Sequence, residues 1–176
     1  MKKWTSKKTR WIVGLIMAFF FIVVLPFMSW LFLHQIGVSE QPDVTFFYPK
    51  EYLFDLASLY GSEGIKLYII LRYTFDLIWP VVYTVFLFVF ITYYYKNSRF
   101  YSFAIASVVL SVFFDLCENI GATIVFAKFP SRLEGVALFT SVSSTLKWGF
   151  LIIAFTFLVA GIVAKLWKNH ITRVKA

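Results

Sequence analysis

The sequence predicts an all-α integral membrane protein: a four-transmembrane-helix bundle with a short interfacial amphipathic helix in its first extracytoplasmic loop. Three observations carry that expectation. The 176 residues are 60% hydrophobic and 22% aromatic with only 15% charged, far from the composition of soluble globular domains. Four segments are long and apolar enough to span a bilayer, which takes about 20 residues: residues 11–33, 75–95, 101–127 and 136–164. Basic residues gather at the ends of these segments instead of being spread along the chain. Backbone in lipid must satisfy its own hydrogen bonds, so each span is expected to be a helix. The length accommodates one membrane domain, residues 1–176.

The chain opens with MKKWTSKKTR, whose Lys2, Lys3, Lys7, Lys8 and Arg10 precede the first span. No small-x-small cleavage site follows the apolar run, which reads as an uncleaved signal anchor. Pro26 lies inside this span and is expected to bend it, since proline removes a helical hydrogen bond. The extracytoplasmic loop, residues 34–74, carries Glu40, Asp43, Glu51, Asp55 and Glu63 against few bases. Within it, Tyr52, Leu56, Leu59 and Tyr60 recur at helical spacing between Pro49 and Gly61, predicting the amphipathic helix. This helix has two readings: a spacer whose apolar side covers the end of the bundle, or a lid over a binding site.

The turn after the second span holds Lys96 and Arg99, and Lys165, Lys168, Arg173 and Lys175 follow the fourth. The positive-inside rule therefore places both termini in the cytoplasm of a cell (plasma or inner) membrane, and residues 34–74 and 128–134 outside. Trp11, Trp30, Trp79, the run Tyr93-Tyr94-Tyr95 and Trp167 fall near span ends, where amphipathic rings sit at headgroup level. The net charge of +8 belongs to these flanking clusters, which attract anionic lipid. That placement argues for membrane lipids as partners and no nucleic acid.

Several chemistries are excluded. The single cysteine, Cys117, leaves no intrachain disulfide, CxxC pair or thiolate zinc site. His34 and His170 are the only histidines. No HExxH, GxSxG or phosphate-binding glycine loop occurs. No cofactor and no metal is expected.

The candidate site begins with DLCEN in the third span. Asp115, Glu118 and Asn119 stand at i, i+3 and i+4 and share one helix face. At about 1.5 Å per residue, Glu118 and Asn119 lie roughly 14 Å from Lys128, with Asp115 near the midplane. The second span and the residues just before it contribute Arg72, Asp76, Trp79 or Pro80, and Tyr83 in steps of three and four, and the fourth adds Thr140, Ser143, Ser144 and Lys147. His34 closes the first span at a similar level. Charges in hydrocarbon each cost about 2.5–3.5 kcal/mol and mark functional interiors. Asp115, Glu118, Asn119 and Asp76 are thus the candidate catalytic residues. Arg72, Lys147, Tyr83, Trp148 and His34 are the candidate substrate-binding residues.

Each has a plainer reading. Arg72 and Asp76 suit a surface ion pair, Lys147 can extend its ammonium to headgroups, and buried polar groups also join helices. An architecture that sets acids in a lipid-accessible bundle of four helices is loosely similar to small membrane sterol isomerases and their receptor relatives.

Three functions follow: binding or modifying a lipid-like hydrophobic or amphiphilic small molecule; a proton- or cation-coupled transporter or channel; and a non-catalytic immunity, sensor or assembly protein acting with a membrane-protein partner or as a homo-oligomer.

Overall fold

The computed structural model describes residues 4–174, and all its regular secondary structure is helical. Lys2, Lys3, Lys175 and the side chain of Arg173, part of the predicted basic flanks, lie outside the described residues. Four helical stretches are long and apolar enough to cross a membrane. Each contains one of the predicted spans; the third matches it closely, while the second begins at Glu51, well before residue 75, and the fourth runs past residue 164.

Helix α1, Lys7–Phe19, starts at Ser6, whose hydroxyl accepts the Thr9 N–H at 3.1 Å, satisfying one of the orphan donors of the first turn. A π turn, Phe20–Val24, follows, and helix α2 runs Leu25–Ile36. The π turn lies one turn ahead of Pro26, where a disturbance of the helix was expected. Pro26 has no N–H to give the Ile22 carbonyl and its ring crowds that oxygen, so the helix widens one turn ahead of it. Gly37 ends α2 at φ 77°, donating to the Leu33 carbonyl at 2.8 Å, an αL stop open to glycine.

The segment after Gly37 contains a short 3₁₀ turn at Pro42–Val44 and leads into helix α3, Glu51–Tyr73. The predicted amphipathic helix is the first half of α3, and Gly61 (φ 61°, ψ −175°) interrupts it as expected. Its apolar side is turned into the bundle: Leu53, Leu56, Ala57 and Tyr60 pack with Ala122, Val125 and Phe126. This is the covering role. Beyond Gly61, however, residues expected as loop continue helically to Tyr73. Gly64, Tyr68 and Arg72 form a buried stripe at four-residue spacing there. The surrounding Glu63, Lys66 and glycines dilute the apolar signal that would mark a span, although this stripe is a sufficient reason to fold.

Thr74 breaks the chain direction (φ −115°, ψ −80°) before helix α4, Phe75–Tyr95. Helices α5, Tyr101–Lys128, and α6, Glu134–Val174, complete the fold. Helix α5 is central, packed by α3, α4 and α6, while α1 leans on α4. The α5–α6 contact is close because small residues meet there. A Cβ on Gly121 would stand 2.2 Å from Thr140 Oγ1. The interior divides into an aromatic core around Tyr48, Tyr60, Tyr68 and Phe126, and an aliphatic core around Leu87, Ile91, Ala104, Val108 and Leu158. A polar layer lies between them.

Candidate functional site

The polar layer is assembled from five separate segments. Lys147, on the small-residue face of α6, places its ammonium 2.5 Å from Glu118 Oε2 and 3.8 Å from Asp115 Oδ1, and it donates to the Asp43 carbonyl at 3.1 Å. Arg72, at the end of α3, uses its guanidinium as a junction. Nη1 meets Asn119 Oδ1 at 2.7 Å and Asp76 Oδ2 at 3.1 Å. Nη2 donates to the Tyr68 hydroxyl at 2.6 Å and pairs with Asp43 Oδ1. Tyr83 donates to Asp115 Oδ2 at 2.9 Å, and Tyr48 to Glu118 Oε1 at 3.3 Å. Burial, with the Glu118 charge beside it, pushes the Tyr48 hydroxyl pKa up and keeps it a neutral donor.

Local structure explains why these groups meet. The DxxEN spacing puts Asp115, Glu118 and Asn119 on the inner face of α5. The break at Thr74 lets Arg72 and Asp76, four residues apart, turn to the same junction across two helices. The 3₁₀ turn at Pro42–Val44 lowers Asp43 onto Arg72. Hydroxyls of α6 hold the loop in place: Ser144 donates to the Thr45 carbonyl at 3.0 Å, and Ser141 donates to that of Tyr48.

Beside this layer a cavity of about 920 Å³ runs between the first helical stretch and α6. Met17, Phe21, Leu25, Met28 and Phe32 form one wall, and Leu151, Phe155, Val159 and Val163 the other. Trp79, Pro80 and Tyr83 form its back, and Asp43, Arg72, Asp76, Asp115 and Lys147 its polar end. Phe21, Ile152, Val159 and Val163 line it yet are more than half exposed, so it is a cleft open to the surroundings along its side.

No known protein family, curated protein or solved structure matches the chain. Its chemistry is therefore read from the site itself.

Of the residues singled out from the sequence, Asp115, Glu118, Asn119, Asp76, Arg72, Lys147 and Tyr83 come together in one hydrogen-bonded and ion-paired group. Trp148 lines the cleft with its ring 5.3 Å from the Lys147 ammonium. His34 stands elsewhere, exposed and stacked on Trp30 at 5.2 Å. Glu118 is 0% exposed and does not line the cleft, whereas Asp115 does. Cleft and buried acid are linked through Lys147.

Three participants were not legible: Asp43, Tyr48 and Tyr68. Tyr68 precedes Arg72 by one helical turn, so its place on that face was available from spacing once α3 was known to be helical. Asp43 and Tyr48 reach the site through loop geometry, for which the sequence offers no periodic signal. Among the described residues no group of His, Cys, Asp and Glu is arranged to hold a metal ion.

Proposed function

We propose that the chain is a multi-pass protein of the cell membrane, with four transmembrane helices and both termini cytoplasmic, whose cleft binds a lipid-like amphiphile. In this reading the hydrophobic part enters sideways from the bilayer between α1–α2 and α6, and the headgroup stops at the charged layer in the extracytoplasmic half. The observation that carries it is the combination in one cavity of two apolar walls, an exposed flank and a charged end. Ligand sites are commonly concave, mostly apolar and 300–1,000 Å³, with a few converging polar groups.

The same layout supports a proton step on the bound headgroup. Asp115 faces the cleft, and Lys147 connects it to Glu118, an arrangement suited to general acid–base exchange. A through-membrane proton or cation path finds less support. Ser107 and Ser111, in the aliphatic half, donate to the Ala104 and Val108 carbonyls of their own helix at 2.8 Å each and offer no continuous relay.

Purification into lipid nanodiscs followed by lipid mass spectrometry tests the reading. The wild-type chain should retain an amphiphile near one per protein. Leu151→Trp, which fills the cleft without touching a charge, should lose it while keeping the wild-type unfolding temperature. Equal retention by a folded Leu151→Trp protein would refute the cleft as the binding site.

A further inference from the structure

We infer that the headgroup the cleft accepts is cationic, an amine or ammonium on a long chain. This inference rests on the amphiphile reading and specifies its substrate class. The observation is the division of donors and acceptors at the polar end.

Both bases are consumed by the protein. The four terminal N–H groups of Arg72 face Asn119, Asp76, Tyr68 and Asp43. Only its Nε is without a partner among the described residues, and that atom is buried and closed to the cleft. Lys147 is committed to Glu118 and the Asp43 carbonyl, and its remaining direction is toward Asp115. An anionic headgroup would have to pull these donors from ion pairs already made, at the desolvation penalty such groups carry.

The acceptors are not consumed. Asp43 and Asp76 are the most open charged side chains of the layer, 20% and 19% exposed against 3% for Arg72. Asp43 Oδ2 and Asp76 Oδ1 accept no hydrogen bond among the described residues, and the Arg72 contacts run to the other oxygen of each carboxylate. Asp115 Oδ1 is 3.8 Å from Lys147, beyond a normal hydrogen bond. All three carboxylates line the cleft. The other polar side chains there, Ser29, Gln41, Thr156, the Tyr83 hydroxyl already donated to Asp115, and the indoles of Trp79 and Trp148, are uncharged.

The charge count agrees. Four carboxylates, Asp43, Asp76, Asp115 and Glu118, face two bases, Arg72 and Lys147, so the acids outnumber the bases. In an apolar surround an unbalanced charge is costly, and a cation with several N–H donors both neutralises it and satisfies the open oxygens. The cleft also sets the form of the tail. From Lys147 to Val163 along α6 is sixteen residues, about 24 Å at roughly 1.5 Å per residue, a slot for an extended chain.

Three photoreactive hexadecyl probes that differ only in headgroup test this in nanodiscs: ammonium, hydroxyl and carboxylate. The ammonium probe should label cleft peptides around Phe21 and Val159 saturably, at concentrations at least tenfold below the carboxylate probe. Asp43→Asn with Asp76→Asn should reduce that preference to threefold or less. Should the double variant fail to fold, the wild-type ranking alone decides. Preferential labelling by the carboxylate or hydroxyl probe overturns the cationic headgroup and leaves the cleft intact as a lipid site. Absence of saturable cleft labelling by any probe overturns the amphiphile reading itself. Hexadecyl-free ethanolamine separates headgroup from tail recognition. If it competes as well as the full amphiphile, the slot plays no part and the substrate is a small soluble amine instead.

Discussion

The first helical stretch, Lys7–Ile36, and the third, Tyr101–Lys128, differ in opposite senses. The first has the higher mean hydropathy over its best window, 2.6 against 1.8, yet only 6% of that window is buried against 39%. The other two stretches fall in the same order, 2.3 with 17% and 2.0 with 28%. In a water-soluble domain the most apolar element would be the most buried. Here apolarity marks contact with the surroundings, and small or polar residues mark contact between helices, the pattern expected where the solvent is lipid. The inversion supports the membrane reading more strongly than span length does, since it depends on which faces meet.

Substitutions that separate the two stretches would sharpen or break this contrast. The largest effect is expected at the charged contact of the buried helix. Lys147→Met leaves Glu118 and Asp115 without their cation and should destabilise the fold by about 3–5 kcal/mol, the usual consequence of halving a buried ion pair. Adding Glu118→Leu should restore at least half of that loss, because the uncompensated carboxylate goes with it. Unfolding in a detergent titration, monitored by circular dichroism, reads both, and an unaltered Lys147→Met protein would mean that the layer contributes nothing to holding α5 and α6 together.

A middle effect is expected at the close approach of the same two helices. Gly121→Ala drives a methyl group against Thr140 Oγ1 and should cost about 1–3 kcal/mol, as overpacking does. Thr140→Ala in the same chain removes the clashing oxygen and should recover it, again by unfolding titration. The smallest effect is expected on the first stretch. Ile22 is 73% exposed, so Ile22→Ala should shift stability by no more than about 0.5 kcal/mol. A loss of several kcal/mol there would show that a partner or a second copy covers this face, and the contrast between stretches would then belong to the isolated chain alone.

Much of the fold was legible. Helices α4 and α5 agree with the expected spans to within one residue, because long uninterrupted apolar runs leave the backbone one way to satisfy its hydrogen bonds. The first and last stretches, Lys7–Ile36 and Glu134–Val174, extend beyond their apolar runs. Polar flanking turns continue a helix that has already nucleated, and hydropathy does not register them. The second half of α3 was hidden for the converse reason: its reason to be helical is a narrow stripe of Gly64, Tyr68 and Arg72 that is apolar in only one member.

The site followed the same division. Asp115, Glu118, Asn119, Arg72, Asp76 and Lys147 stood out as ionisable or polar groups in or beside apolar runs, and helix geometry gave their faces and approximate heights. Their pairing did not follow from height. Arg72 joins Asn119 and Asp76, while Lys147 takes Glu118, a choice set by how the helices rotate about their axes. His34 has a similar height but a different azimuth, and it points to the outside with Trp30.

The sequence by itself determined the apolar helices, their order and the faces that carry their charged residues, since composition and a periodicity of 3.6 act locally along the chain. Tertiary structure decided that α1–α2 stands off from α6 to leave a cleft, that Asp43 descends on Arg72, and that both bases are held in ion pairs at the cleft's polar end beside three carboxylates. Those outcomes depend on helix packing at Gly121 and on a loop fixed by hydroxyls of α6. Such contacts join residues tens of positions apart, and no local pattern encodes them.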